Sequence, residues 1–107
     1  MIRASVSRSS RKGKKWHATV TFPDGEKANI HFGGEGNKDF TQHHDKAKRE
    51  AYIARHGSSG EDWQDPRKAG FWSRWLLWER ESLEDAARAI QTAHGIEVHL
   101  NDGDDGS

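Results

Sequence analysis

Seven histidines and no cysteine leave imidazole, carboxylate and cationic side chains as the groups with which this chain could do chemistry. His43, His44, Asp45 and His56, with His31 nearby in sequence, form the one cluster of metal-ligating residue types. A zinc or nuclease-type ion needs three or four ligands converging on one point at about 2.0–2.2 Å. A helix supplies them most simply as two His at i and i+4, but Ala47 and Lys48 stand four positions after His43 and His44. The expectation is a protein with no metal site and no cofactor. Asp45, Arg49, Tyr52 and His56, spaced 4, 3 and 4, fall on one helical stripe. On it Asp45 would pair with Arg49, while Tyr52 and His56 would hydrogen-bond against a layer of Trp. No Gly-rich phosphate loop leads into a helix through Lys-Ser or Lys-Thr, and there is no Gly-x-Ser-x-Gly. No catalytic residue is assigned, and the chain is expected not to be an enzyme.

The cations offer a second chemistry. Arg3, Arg8, Arg11, Lys12, Lys14 and Lys15 fall within the first 17 residues with no acid among them. The net charge of zero conceals an asymmetry: residues 1–56 hold 12 Lys and Arg against 6 Asp and Glu, and residues 57–107 hold 5 against 11. Such a cluster, with His17 and Thr19 beside it, suits nucleic-acid phosphates or an acidic protein partner. The aromatics are the third group. Phe71, Trp72, Trp75 and Trp78 crowd one short segment and exceed what three short strands can hide. Core is their first role, and contact with another protein is the role of the surplus.

Positioning these groups falls to one domain, since 107 residues are too few for two independent cores. A mean hydropathy of −1.07 lies near the disordered class, but five Trp, four Phe and one Tyr supply a core. No apolar run reaches the roughly 20 residues of a membrane span, and the basic start is not followed by the apolar stretch of a signal peptide. A soluble protein is expected, and the absence of Cys excludes disulfides.

Ile2, Ala4 and Val6 alternate with Arg3, Ser5 and Ser7; Trp16, Ala18, Val20 and Phe22 with His17, Thr19 and Thr21; and Ala28, Ile30 and Phe32 with Asn29 and His31. Period two marks half-buried strands, and Pro23-Asp24-Gly25 marks a turn between two of them. A helix is expected from Thr41 to His56, with Ala47, Ala51 and Ala54 as its sheet-facing side and Gly57 as its left-handed cap. Asp65-Pro66 should open a second helix reaching Trp78, and Ser82 a third over 83–94 that ends at Gly95. Ile96, Val98 and Leu100 alternate as a further strand. The fold class is α+β: a three- to four-stranded antiparallel sheet with one face covered by about three helices, in a single domain of residues 1–100. Residues 101–107 form an acidic, flexible tail.

Two resemblances add to this reading. His31-Phe32-Gly33, Asp39-Phe40-Thr41, Arg55-His56, Asp65-Pro66 and Ala69-Gly70-Phe71-Trp72-Ser73-Arg74-Trp75 resemble a family of small, functionally uncharacterised proteins of large DNA viruses and some phages. The likeness spans about His31 to Trp78 and implies a viral origin, in the virion or the interior of an infected cell, with no established activity. The run KKWHATVTFPDGEKANIHF followed by KAKREAYIARHG is similar to the three-strands-then-helix arm-binding domains of phage-type integrases and to plant-type sheet readers of DNA. That likeness implies a polar sheet face in the major groove.

The leading functional expectation is a non-enzymatic viral accessory protein, a minor virion component or a ligand of a viral or host protein. The alternative is DNA binding through the basic N-terminal strands and loop. A metal-dependent nuclease is the third reading. The partner's identity and the oligomeric state are not legible in the sequence.

Overall fold

The computed structural model describes residues 1–58, 60 and 62–101. Three strands, β1 (Ile2–Arg8), β2 (Lys14–Thr21) and β3 (Lys27–Gly34), form the expected antiparallel meander, with Arg3 opposite Thr21 and His17 opposite His31. Two helices follow, α1 (Phe40–His43) and α2 (Lys46–Ser58). A third, α3 (Ala69–Trp72), runs into a π-helical turn at Ser73–Leu77, and α4 (Leu83–His94) leads into β4 (Ile96–Asn101). The class is α+β.

β4 departs from the expected antiparallel sheet. The strand order is β3-β2-β1-β4, and β4 lies parallel to β1, Ile2 opposite Ile96. A return by way of helices can bring the chain back in the direction in which it left, which a tight hairpin cannot do. Asn101, assigned to the tail, is instead the last residue of β4 and bonds Ser5 Oγ at 2.6 Å. The rest of the expected tail, 102–107, lies outside the described residues.

The single helix expected over 41–56 is two. Asp39 forms a capping box with Gln42 at the start of α1, and His44 then takes a left-handed backbone with φ 55°. Asp45 restarts the helix, its Oδ1 accepting from the amides of Ala47 and Lys48 at 3.0 and 3.3 Å. α2 also presents the opposite side from that expected: Ala47, Ala51 and Ala54 are exposed, and its buried residue is Tyr52. Gly57 is helical rather than a left-handed cap; its close neighbour is Trp63, whose Cη2 a Cβ there would meet at 3.4 Å.

Asp65 caps a turn rather than a helix. Its Oδ1 accepts from the Arg67 amide at 2.9 Å, and α3 begins only at Ala69. Ser82 behaves as the sequence indicates, accepting from the Asp85 amide at 3.1 Å, and Gly95 ends α4 with φ 67°.

The core joins Ala4, Val6, Trp16, Ala18, Val20, Ile30 and Phe32 of the strands to Phe71, Trp72, Leu76, Leu77, Ala86 and Ile90. Trp72 is fully buried, 6.2 Å from the Phe32 ring, and its Nε1 donates to the Pro66 carbonyl at 2.8 Å. α2 contributes nothing to this cluster.

Candidate nucleic-acid interface

Because alternate residues of a strand point to opposite faces, the register determines which polar side chains are neighbours. On the side away from the core they form three rows across the sheet. Asn101, Ser7, His17 and His31 make the first, His99, Ser5, Thr19 and Asn29 the second, and Glu97, Arg3, Thr21 and Lys27 the third. None of the twelve is buried. Glu97 is the only acid among them.

The first two rows are tied together. The His17 and His31 rings stack at 4.4 Å and 7°, His17 Nε2 lies 2.9 Å from Asn29 Oδ1, and Thr19 Oγ1 donates to the same oxygen at 3.3 Å. Ser9 Oγ lies 2.7 Å from His31 Nδ1. The His31 imidazole is held below its usual pKa, first by partial desolvation and then by the positive charges of Arg11, His17 and Lys14. Hydroxyls, amides and imidazoles at strand spacing are the groups that read base edges or bond phosphates.

Of the eight residues assigned to a phosphate-binding footprint, Arg3, His17 and Thr19 do share this face, with Arg3 3.5 Å from Glu97. Arg11, Lys12 and Lys14 are exposed at the β1–β2 connection, where Gly13 takes φ 87°. Two residues are misplaced in the sequence reading. Arg8 falls on the core side of its strand and lies over the Trp16 ring at 5.0 Å. Lys15 reaches Asp39 Oδ2 at 2.8 Å and Gln42 Oε1 at 2.6 Å, an ion pair with both side chains largely shielded from water. It holds α1 against β2 and is not available to a phosphate. Asp39 itself is buried, accepts from the Thr41 amide at 3.0 Å, and also accepts from the Thr41 hydroxyl. The spacing of Asp39 and Gln42 as a capping box was the sequence signal for this anchor.

The helix stripe is brought together, though not as the spacing suggests. Asp45 caps α2 rather than pairing with Arg49, and Arg49 instead bonds Glu50 at 2.8 Å and Glu79 at 3.0 Å. Glu79 also accepts from Arg74 at 2.7 Å, and the Arg74 guanidinium, 8% exposed as a residue, lies over the rings of Trp75 and Trp63. Tyr52 stacks between His56 at 4.1 Å and Trp78 at 4.4 Å. His43 packs on the other partner of that stack, 5.3 Å from Trp78, with Nδ1 accepting from the Asp45 amide. Among the described residues, no group of three or more His, Asp or Glu side chains is placed to hold a metal ion.

Phe71 and Trp72 are fully buried, and Trp75 and Trp78 pack half-buried against the core. Trp75 Nε1 donates to the Trp63 carbonyl at 2.7 Å. Met1, 68% exposed, is the one exposed large hydrophobic residue among those described. The surplus of aromatics is taken up by stacking on His, Tyr and Arg, partners that a count of strands does not reveal.

No helix among the described residues is long and apolar enough to cross a membrane. No curated protein and no solved structure matches the chain. Residues 4–56, which run from β1 into the last turns of α2 and include most of the polar face and the basic connection, are similar to a family of unknown function (DUF5754).

Proposed function

We propose that the chain binds duplex nucleic acid through the polar face of the sheet, with the β1–β2 connection as its electrostatic anchor. The observation that carries this reading is the face itself: twelve polar side chains in register, none buried, with one acid, beside Arg11 and Lys12. In this reading the helices pack on the opposite side only. Of the four strands, β1, β2 and β3 at about 4.8 Å spacing make a slab close to the roughly 12 Å width of a major groove. His17, Thr19 and Asn29 would then face bases, and Arg3, Arg11 and Lys12 phosphates.

A viral accessory protein that docks on another protein remains the other proposal. It drew on small size, opposite charge at the two ends of the chain and surplus Trp, and of these the Trp surplus is packed against the core, which leaves an acidic protein surface as the partner it would need. A nuclease would need a set of divalent-ion ligands.

The test is a titration of fluorescent duplex DNA over a range of salt. The log of the affinity should fall linearly with log salt, by about 0.9 per phosphate contact, and the double variant Arg11→Ala/Lys12→Ala should flatten the slope by roughly two contacts. Lys15 is left intact because its removal would orphan Asp39. Binding without salt dependence, or an unchanged slope in the double variant, overturns the reading.

A further inference from the structure

Between the loop that follows β3, the last turns of α2 and the 69–78 segment lies a cleft of about 350 Å³. It is a feature separate from the polar sheet face. Lys14, Lys38 and Arg55 line it, and none of the three has an ion pair to any described residue. Among the described lining residues Asp39 is the one acid, and Lys15 already neutralises it at 2.8 Å. The described residues therefore place an excess of positive charge on concave walls, the arrangement that concentrates field and draws in anions.

Its aromatic wall is a ring stack. Tyr52 is clamped between the rings of His56 and Trp78, at 4.1 and 4.4 Å. Gly33, Gly34 and Gly70 also line the cleft, and Ser73 adds a hydroxyl. The volume is more than a bare phosphate needs and matches the lower end of small-ligand pockets. Arg55, Gly70 and Ser73, residues of the His31–Trp78 stretch to which the metal and core readings gave no role, meet here.

We propose that this cleft binds a phosphate monoester carrying a planar organic group, the phosphate held by Lys38 and Arg55 and the organic part lying along the His56–Tyr52–Trp78 wall. Arg55 can grip two phosphate oxygens at once and Lys38 adds a point charge. A free mononucleotide and the 5′-phosphate end of a nucleic-acid strand present the same chemistry.

The experiment is calorimetric titration of the full chain with four probes: AMP, adenosine, and a single-stranded trinucleotide with and without a 5′-phosphate. Saturable binding is expected for the phosphorylated probes and not for adenosine or the unphosphorylated strand. Lys38→Gln and Arg55→Gln, both at exposed positions, should each weaken it about tenfold, the loss of one charged hydrogen bond, while Lys46→Gln, nine positions before Arg55 and so on the opposite side of α2, should not. Binding of AMP as tightly as the phosphorylated strand identifies a free ligand, and binding of the strand alone identifies a nucleic-acid end. The proposal is overturned if neither phosphorylated probe saturates at millimolar concentration, if adenosine binds equally, or if both glutamine variants bind as the parent does. Because none of these variants touches Arg11 or Lys12, its failure leaves the salt-slope result for the sheet face standing, and the reverse holds too.

Discussion

Gly33 shows how much a single residue can carry. Its backbone has φ 82°, and a Cβ there would lie 3.0 Å from Leu77 Cδ1, a buried core atom. Gly33→Ala should therefore lose about 1–2 kcal/mol for the left-handed backbone and a further amount for the displaced Leu77. Gly25→Ala provides the comparison, because Gly25 has φ 91° and nothing within 4 Å of its Cβ. Urea unfolding of the two variants should place Gly33→Ala below Gly25→Ala, and equal losses would remove the Leu77 contact from the account. His94 sets a pH dependence at the same scale. Burial against Phe71 and Trp75 holds its pKa below the ordinary imidazole value, so the unfolded chain binds the proton more tightly than the folded one. Stability is then full above about pH 6.5 and falls as the pH drops below it. His31 shifts in the same direction. Thermal unfolding between pH 7.5 and 5 should show the fall, and His94→Gln should shallow it without abolishing the share of His31. Lys15 marks where residue-level reading failed: alternation groups it with His17 and Thr19, but its long side chain reaches around to the buried Asp39.

At the scale of elements, what was legible follows from how local the signal is. The strands of the meander and α4 are written in period-two alternation and in the Ser82 and Gly95 caps, signals complete within one segment. The direction of β4 is not, since Ile96, Val98 and Leu100 specify a face and leave parallel or antiparallel pairing to the path of the chain before it. The side of α2 that faces inward was also hidden. Its Ala residues look like a packing surface, but the large groups of the opposite stripe, Arg49, Tyr52 and His56, find Glu79 and Trp78 in a segment thirty residues further on. The π-helical turn at Ser73–Leu77 re-aims the end of that segment, so Glu79 leaves the apolar arc on which continued α-helical spacing would place it. There it accepts from both Arg49 and Arg74, joining α2 to the core segment. Glu79→Ala should cost about 2–3 kcal/mol, below the loss from a wholly buried pair because Glu79 keeps some contact with water, and it leaves Arg74 buried without a counter-ion. Arg49→Ala should cost less, since Arg74 keeps Glu79. Chemical denaturation of the two variants checks the order; the reverse order would mean that Arg49 rather than Arg74 depends on this carboxylate.

The whole molecule rearranges the charge asymmetry of the sequence. The basic half meets the acidic half through Arg3–Glu97 and Arg49–Glu79, which offset part of the apparent dipole, whereas Arg67–Glu26 joins the minority charge of each half and offsets none of it. Arg11 and Lys12 remain without ion pairs to described residues beside the polar sheet face, and Lys14, Lys38 and Arg55 around the cleft. Of the candidate site, the sequence showed the polar alternation and the basic cluster because both are local patterns. It did not show the row-by-row neighbours His17–His31 and Thr19–Asn29, which depend on register, nor the cleft, whose walls come from separated segments. The central claim is that the polar face is a nucleic-acid surface, and amide-resolved NMR of the labelled protein titrated with a short duplex tests it most directly. The account predicts that perturbations concentrate on Ser5, Ser7, His17, Thr19, Asn29 and His31 and on the Arg11–Lys14 connection, and that they recede as salt is raised. Perturbations centred on α4 or on the exposed Ala side of α2, with the sheet face unmoved, would contradict it.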